Sequence, residues 1–302
     1  MPAPDQGRGD TVREPTGLRL GRRTFGPDEL VVMAIVNRTP DSFFDQGAFH
    51  DDVAALRAVD RAIDEGAQIV DLGGVKAGPG PVVDAAEEIR RTAGVVAAIR
   101  NRHPDLVISV DTWRAEVADA VCDSGADLLN DAWGGPEPAL AEVAARCGAG
   151  LVCSHAGGLP PRTDPHRVAY ADVMTDVVAT VTGLAERAVA AGVRPESVLV
   201  DAAHDFGKNT YHSLEVTRRM GELVATGWPV LVAVSNKKFL GEVLDVDKDG
   251  RLEATLAATA WCAAAGARVF RAHQVGPTRR VLDTVAAIRG SAPPAVSRRA
   301  LA

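Results

Sequence analysis

The sequence predicts a single eight-fold β/α barrel, and three observations carry that expectation. One unit recurs: an amphipathic stretch, a Gly-Ala or similar break, then a short apolar run ending in polar residues. It is plain in GAQIVDLGG (66–74), GADLLNDAWGG (125–135), GAGLVCSHAGG (148–158) and GARVFRAHQ (266–274). Helix-period and strand-like segments alternate strictly, which implies parallel strands joined by right-handed crossovers. The units number eight, the count of a TIM (β/α)8 barrel, whereas an open doubly wound sheet with two extra strands is the alternative.

Taken in order, residues 1–24 are rich in Pro, Gly and Arg and lack an apolar run, so they read as a disordered tail and not as a secretory signal. The barrel is expected over 25–290. Its clear strands are the four runs above, and its other four end in VVMAIVN (31–37), LVISVDT (106–112), SVLVDAA (197–203) and PVLVAVS (229–235). In each unit a glycine that tolerates positive φ ends the helix, and a run apolar on both faces suits a buried parallel strand. Helices are expected at 51–65, 84–102, 114–124, 137–147, 171–191, 212–226, 252–265 and 277–289. The segment 291–302 (SAPPAVSRRALA) reads as a flexible C-terminal tail.

Composition narrows the function classes. A net charge of −7 argues against a nucleic-acid groove or an anionic membrane surface as partner, though a few local cations would still hold a phosphorylated ligand. No apolar run approaches ~18 residues, so no membrane span is expected, and the chain reads as cytoplasmic. Cys122, Cys147, Cys153 and Cys262 form no Cys-x-x-Cys pair and read as reduced core thiols.

The polar strand ends carry the chemistry. They are Asn37, Asp71, Asp111, Asn130 with Asp131, His155, Asp201, Ser235, and Arg271 with His273. In this fold the C-terminal strand ends and following loops form the active site. Helix caps and turns explain one or two acidic or amide residues there, but not a polar residue at every end, so one common pocket is expected. Other motifs fall away. GKN (207–209) lacks the upstream Gly and the Ser or Thr of a phosphate loop. DVDKDG (245–250) starts like a calcium loop, but its twelfth position is Leu256 instead of Glu. No zinc-ligand pair or nucleophile elbow is present.

Five segments together resemble dihydropteroate synthase, which joins a pterin to p-aminobenzoate. They are NRTPDSF (37–43), SVDTWR (109–114) with LLNDA (128–132), VDAAHDFGKNT (200–210), VSNKKFLG (234–241) and FRAHQVG (270–276), in family order over residues 30–289. The resemblance implies that Asp201, helped by Asp111 and Asn130, accepts the paired N–H groups of the pterin edge, and that Lys237 bonds its acceptor atoms. It implies that Arg271 and His273 are cations holding the pyrophosphate leaving group and that Asn37 helps to bind its Mg2+. Phe206 and Ser235 would stand on the p-aminobenzoate side. A pterin-type ligand, sulfonamide- or sulfone-like aromatics and a homodimer are implied in the same way.

The sequence also departs from the family. The second loop, Gly-Gly-Glu-Ser-Thr-Arg-Pro-Gly in the family, is GGVKAGPG here (73–80), so Ala77 and Gly78 stand where a hydroxyl and a guanidinium belong. The motif Asp-Pro-Gly-x-Gly-Phe-Gly-Lys becomes Asp201-Ala-Ala-His-Asp-Phe-Gly-Lys208, and Asp205 is expected to narrow the pocket or add negative charge. Ser-Arg-Lys becomes Ser235-Asn236-Lys237, and Gln274 replaces Asp. At least two cations are lost around a pyrophosphate, and a hydrogen bond to a charged group contributes about 1.5–3 kcal/mol. The pterin edge survives. The expectation is an inactive or nearly inactive paralogue, the alternative an active synthase with a remodelled loop. A pterin- or folate-binding methyl-carrier domain is a third reading, which Phe206-Gly207-Lys208 disfavours.

Overall fold

The computed structural model describes residues 17–37, 47–163 and 168–299, with the side chains of 37 and 47–52 outside the description. Two antiparallel strands, β1 (Leu18–Leu20) and β2 (Arg23–Phe25), come first. There follow β3 (Val31–Asn37), α1 (Gly47–Asp64), β4 (Ile69–Gly73), α2 (Ala85–Arg102), β5 (Val107–Asp111), α3 (Ala115–Asp123), β6 (Leu128–Asp131), α4 (Ala139–Cys147) and β7 (Gly150–Ser154). The chain continues through α5 (Val173–Ala190), β8 (Val198–Asp201), α6 (Thr210–Arg218), α7 (Met220–Val224), β9 (Val230–Val232), α8 (Lys238–Leu244), α9 (Leu252–Ala264), β10 (Val269–Ala272) and α10 (Val275–Arg289). Strands β3 to β10 close in sequence order into a parallel barrel, which excludes the open sheet.

The alternation of side chains along a strand divides the core in two. Outward residues such as Val70, Leu72, Ile108, Val110, Leu129, Val200 and Phe270 pack under the helices. Inward residues at the strand starts, among them Val31, Ile69, Val107, Leu128, Val152, Leu199, Leu231 and Val269, make a separate apolar floor. Two residues further along, the inward positions turn polar: Asp71 follows Ile69, Ser109 follows Val107, Asn130 follows Leu128, Asp201 follows Leu199 and Arg271 follows Val269. The polar pocket therefore rests directly on the apolar floor.

The N-terminal boundary needs correcting. Residues 18–25 are not part of a disordered tail: Leu18, Leu20 and Phe25 are fully buried and plug the floor from below. A two-residue turn makes this possible, with Gly21 at φ 55, and a Cβ there would lie 2.1 Å from Asp127 Oδ1. The strands are three residues each and carry three arginines between them and their turn, so the apolar pattern is too short to read. Residues 1–16 lie outside the described residues, and 291–299 hold no helix or strand.

Two helical expectations also change. The segment 212–226 is two helices that break at Arg219, whose guanidinium spans Glu215 before the break and Glu222 after it. Helix α8, only seven residues long, was too short to show a period. Among the cysteines, Cys147 at the end of α4 is exposed, so it is not a core thiol.

Candidate ligand site at the barrel mouth

Strand register brings the polar ends together. Asp111 on β5 faces Gly73 on β4 and Asn130 on β6, and Asp201 on β8 faces Ser154 on β7. The centre of the network is Asp71, fully buried. It accepts from Ser109 Oγ at 2.6 Å, Asn130 Nδ2 at 3.1 Å and Arg271 Nε at 2.5 Å. Arg271 also donates to Asp111 Oδ2 at 3.0 Å. Arg271 thus compensates two inward carboxylates before any ligand arrives, and the strong field keeps its guanidinium charged despite burial. Asp71 stood in the polar ring of the sequence but carried no motif, so its role as the hub was not legible there.

The acids are tuned by burial. Asp111 is pushed up to about 7, chiefly by desolvation, against the pull of Arg271. Asp201 is raised for the same first reason, while the Ala203 N–H at 2.8 Å and the nearby Lys237 favour its ionised form. Burial lowers the Lys237 ammonium, which stands 4.2 Å from the centre of the Phe206 ring. Trp133 meets the same ring edge-on at 4.8 Å. Asp131, by contrast, is a turn former, accepting from Trp133 N and Gly135 N at 2.8 Å each.

His273 departs from its expected role as a cation. Burial, then the neighbouring Arg271, Lys248 and Lys237, lower its pKa to about 4, so at neutral pH it offers hydrogen bonds and no charge. Ser235 Oγ lies 3.0 Å from its Nδ1 and accepts its backbone N–H at 3.0 Å. Asp205 accepts the Lys238 N–H at 2.6 Å, at the start of α8, and its negative charge acts on the pocket lysine Lys237, in keeping with the expected added charge. Asn236 occupies φ 56, a conformation asparagine tolerates better than most residues, and its N–H donates to Thr255 Oγ1. The Asn37 side chain lies outside the described residues.

The second loop, between β4 and α2, is irregular and largely exposed over 76–82. A guanidinium does reach it, but from elsewhere: Arg162 donates through Nε to Gly78 O at 3.2 Å and through Nη1 to Pro81 O at 2.7 Å. These donors hold loop backbone. Below the loop, buried Glu88 pairs with Arg114, which also bonds Val83 O.

Beneath Phe206 the strand-end His155 joins a second polar cluster with Lys208 and Asp176 instead of the network around Asp71. Lys208, 3% exposed, donates to His155 Nδ1 at 2.7 Å, and His155 Nε2 lies 2.6 Å from Asp176 Oδ1. Burial takes Lys208 down to about 7 and His155 down to about 4. The Phe206-Gly207-Lys208 run places the lysine in the sequence, but nothing there joins it to Asp176, which lies on α5.

A barrel whose mouth presents buried carboxylates, an amide and a lysine over a packed arene is suited to a flat heterocycle with an N–H edge. Comparison with known proteins gives the class: a family described as "Pterin binding enzyme" matches residues 33–273. The chain belongs to the dihydropteroate synthase family of pterin-binding barrels. It is 58% identical to "Inactive dihydropteroate synthase 2" of Mycobacterium leprae over 284 residues, 93% of this chain and 98% of that protein. To the dihydropteroate synthase of Haemophilus influenzae it is 34% identical over 252 residues, 83% of this chain and 91% of that one. The crystal structure of Yersinia pestis dihydropteroate synthase with a sulfonamide drug superimposes at a TM-score of 0.83, with 33% identity over 92% of this chain and 100% of that one.

Proposed function

We propose that this chain binds a pterin-type ligand at Asp201, Asp111, Asn130 and Lys237 but is catalytically inactive, or nearly so, as a dihydropteroate synthase. The observation that carries the reading is an asymmetry. The pterin-edge groups sit on strand ends in a connected buried network, while the second loop offers neither hydroxyl nor guanidinium at 77 and 78 and spends Arg162 on its own carbonyls. Its 58% identity to a protein named as inactive, against 34% to a named synthase, supports the same reading.

Ligand N–H groups would draw Asp201 and Asp111 toward their ionised forms, offsetting the burial that raises them. On the other side, Phe206 and Ser235 would meet p-aminobenzoate or a sulfonamide-like aromatic. Arg271 and His273 remain the groups for pyrophosphate, one already shared between two carboxylates and the other neutral. Among the described residues no group of three or more His, Cys, Asp or Glu could hold a metal ion, and Mg2+ carried on a diphosphate needs no such cluster, since it keeps several of its waters. We assign no step to Mg2+. Asn37, by resemblance, is the group that would meet an ion arriving on the diphosphate.

Arg162 favours a second reading, an active synthase whose missing guanidinium is supplied from the β7–α5 connection. One assay separates the two. Purified chain receives 6-hydroxymethyl-7,8-dihydropterin diphosphate, p-aminobenzoate and Mg2+, and pyrophosphate release is followed. The inactive reading expects release at least a hundredfold below an ordinary synthase, with pterin binding retained by calorimetry; turnover at a synthase's rate sinks it. A homodimer and a cytoplasmic location complete the proposal. Sedimentation checks the dimer, for which exposed Trp261 on α9 and Ile288 on α10 offer apolar surface. No helix among the described residues is long and apolar enough to cross a membrane.

A further inference from the structure

The connection from β8 to α6 carries Phe206 through an unusual backbone. Ala203 at φ 49, Asp205 at φ 68 and Gly207 at φ 58 alternate in the left-handed region. The family places glycine at all three positions; this chain keeps only Gly207, where a Cβ would lie 2.5 Å from Ala156 O. An L side chain in that conformation is strained, so something must hold the loop in it.

Lys208 is placed to do so. Its three N–H groups are shared among four acceptors: Phe206 O at 2.9 Å, His155 O at 2.9 Å, His155 Nδ1 at 2.7 Å and, longest, Ala203 O at 3.3 Å. The ion thus ties together both ends of the strained turn and the end of β7. Asp176, in the first turn of α5, fixes the arrangement from outside: by taking the Nε2 hydrogen bond it leaves the Nδ1 lone pair of His155 to face the ammonium. Tyr170 OH adds a bond to Gly207 O at 2.6 Å. Among the described residues no hydrogen bond joins Lys208 to Asp71, Asp111, Asn130 or Asp201.

We propose that Lys208, oriented by Asp176 through His155, is the positioning residue for Phe206 and so controls selectivity for the aryl ligand without touching ligand itself. The proposal rests on the reading that an arene lies against Phe206. The chain as it exists, all 302 residues, is compared with Lys208→Met using two probes: 6-carboxypterin for the pterin edge, and sulfamethoxazole with pyrophosphate for the aryl side. Sulfamethoxazole affinity should fall at least tenfold and 6-carboxypterin affinity less than twofold. Adding Ala203→Gly and Asp205→Gly to the Lys208→Met chain should restore sulfamethoxazole binding to within threefold, because glycine no longer needs the clamp. Amide hydrogen exchange at 203–207 reads the clamp directly and should quicken tenfold in Lys208→Met, with β4 and β5 unchanged.

Equal losses for both probes, no glycine rescue, or unchanged exchange would overturn the positioning role. A wild-type chain that ignores sulfamethoxazole, while exchange responds as expected, would overturn the aryl reading and the ligand half of this proposal together.

Discussion

The pterin edge and the second loop share one barrel mouth but are built under different constraints. Asp71, Asp111 and Arg271 are strand residues facing inward just above the apolar floor, each needing the others to be tolerated there. Residues 75–80 lie in a connection without regular structure, exposed or half-exposed throughout. A change in the first region strands a buried charge; a change in the second alters chemistry alone. The pattern of loss in this chain follows that division.

The sharpest way to break the comparison is Arg271→Ala. It leaves Asp71 and Asp111 buried against each other, and breaking a buried pair this way costs about 3–5 kcal/mol. Urea unfolding should show that loss in midpoint. A loss under about 1 kcal/mol would mean that the network is not what keeps the pterin edge intact.

Asp201→Asn tests the ligand side of the same region. It removes the acceptor pair offered to the pterin's N–H groups, and hydrogen bonds to a charged group are worth about 1.5–3 kcal/mol. Calorimetry with 6-carboxypterin should show roughly a tenfold to hundredfold loss of affinity, since about 1.4 kcal/mol is a factor of ten. Unchanged affinity would place the ligand elsewhere.

These two tests also mark what the sequence could and could not say. Barrel closure, every barrel strand and the ring of polar ends were legible because helix and strand periods repeat eight times. Asp71 as the hub was not, since a strand-end aspartate looks the same whether it accepts three side chains or, like Asp131, two backbone N–H groups. The plug made by Leu18, Leu20 and Phe25 was hidden by the brevity of its strands. His204 and Asp205 were legible as departures, but their partners were not. Asp205 turned out to bond the start of α8, and His204 is fully buried, stacked on Phe239 at 5.7 Å, with neither ring nitrogen hydrogen-bonded.

His204 supplies a pH test of the eroded motif. Burial, then Lys208 and Lys237, push its pKa down to about 3, below the ordinary histidine value near 6.5. The unfolded chain therefore binds a proton that the folded chain refuses between those values, and stability is lost as pH falls from about 6.5 toward 3. Asp111 and Asp131, raised to about 7 and about 6, oppose that trend, so the comparison must be between variants. His204→Phe should gain on the wild type by about 1.4 kcal/mol for each pH unit below 6.5. A constant difference across pH 7 to 5 would show that His204 reaches water.

The smallest expected change in stability comes from restoring Glu-Ser-Thr-Arg at 75–78, and it bears most directly on the comparison. Those positions are exposed or half-exposed, and substitutions at such sites stay within about 0.5 kcal/mol. The unfolding midpoint should hardly move, while pyrophosphate release rises by tenfold or more as the hydroxyl and guanidinium return. If release stays flat and the midpoint is unchanged, the loop is not the limiting loss, and Asn236, Gln274 or the neutral His273 becomes the next place to restore charge. If instead the midpoint falls by more than 1 kcal/mol, then the clasp of Arg162 on Gly78 O and Pro81 O has become part of the fold. The second loop would then no longer be free to drift, and the contrast with the pterin edge would fail at its base.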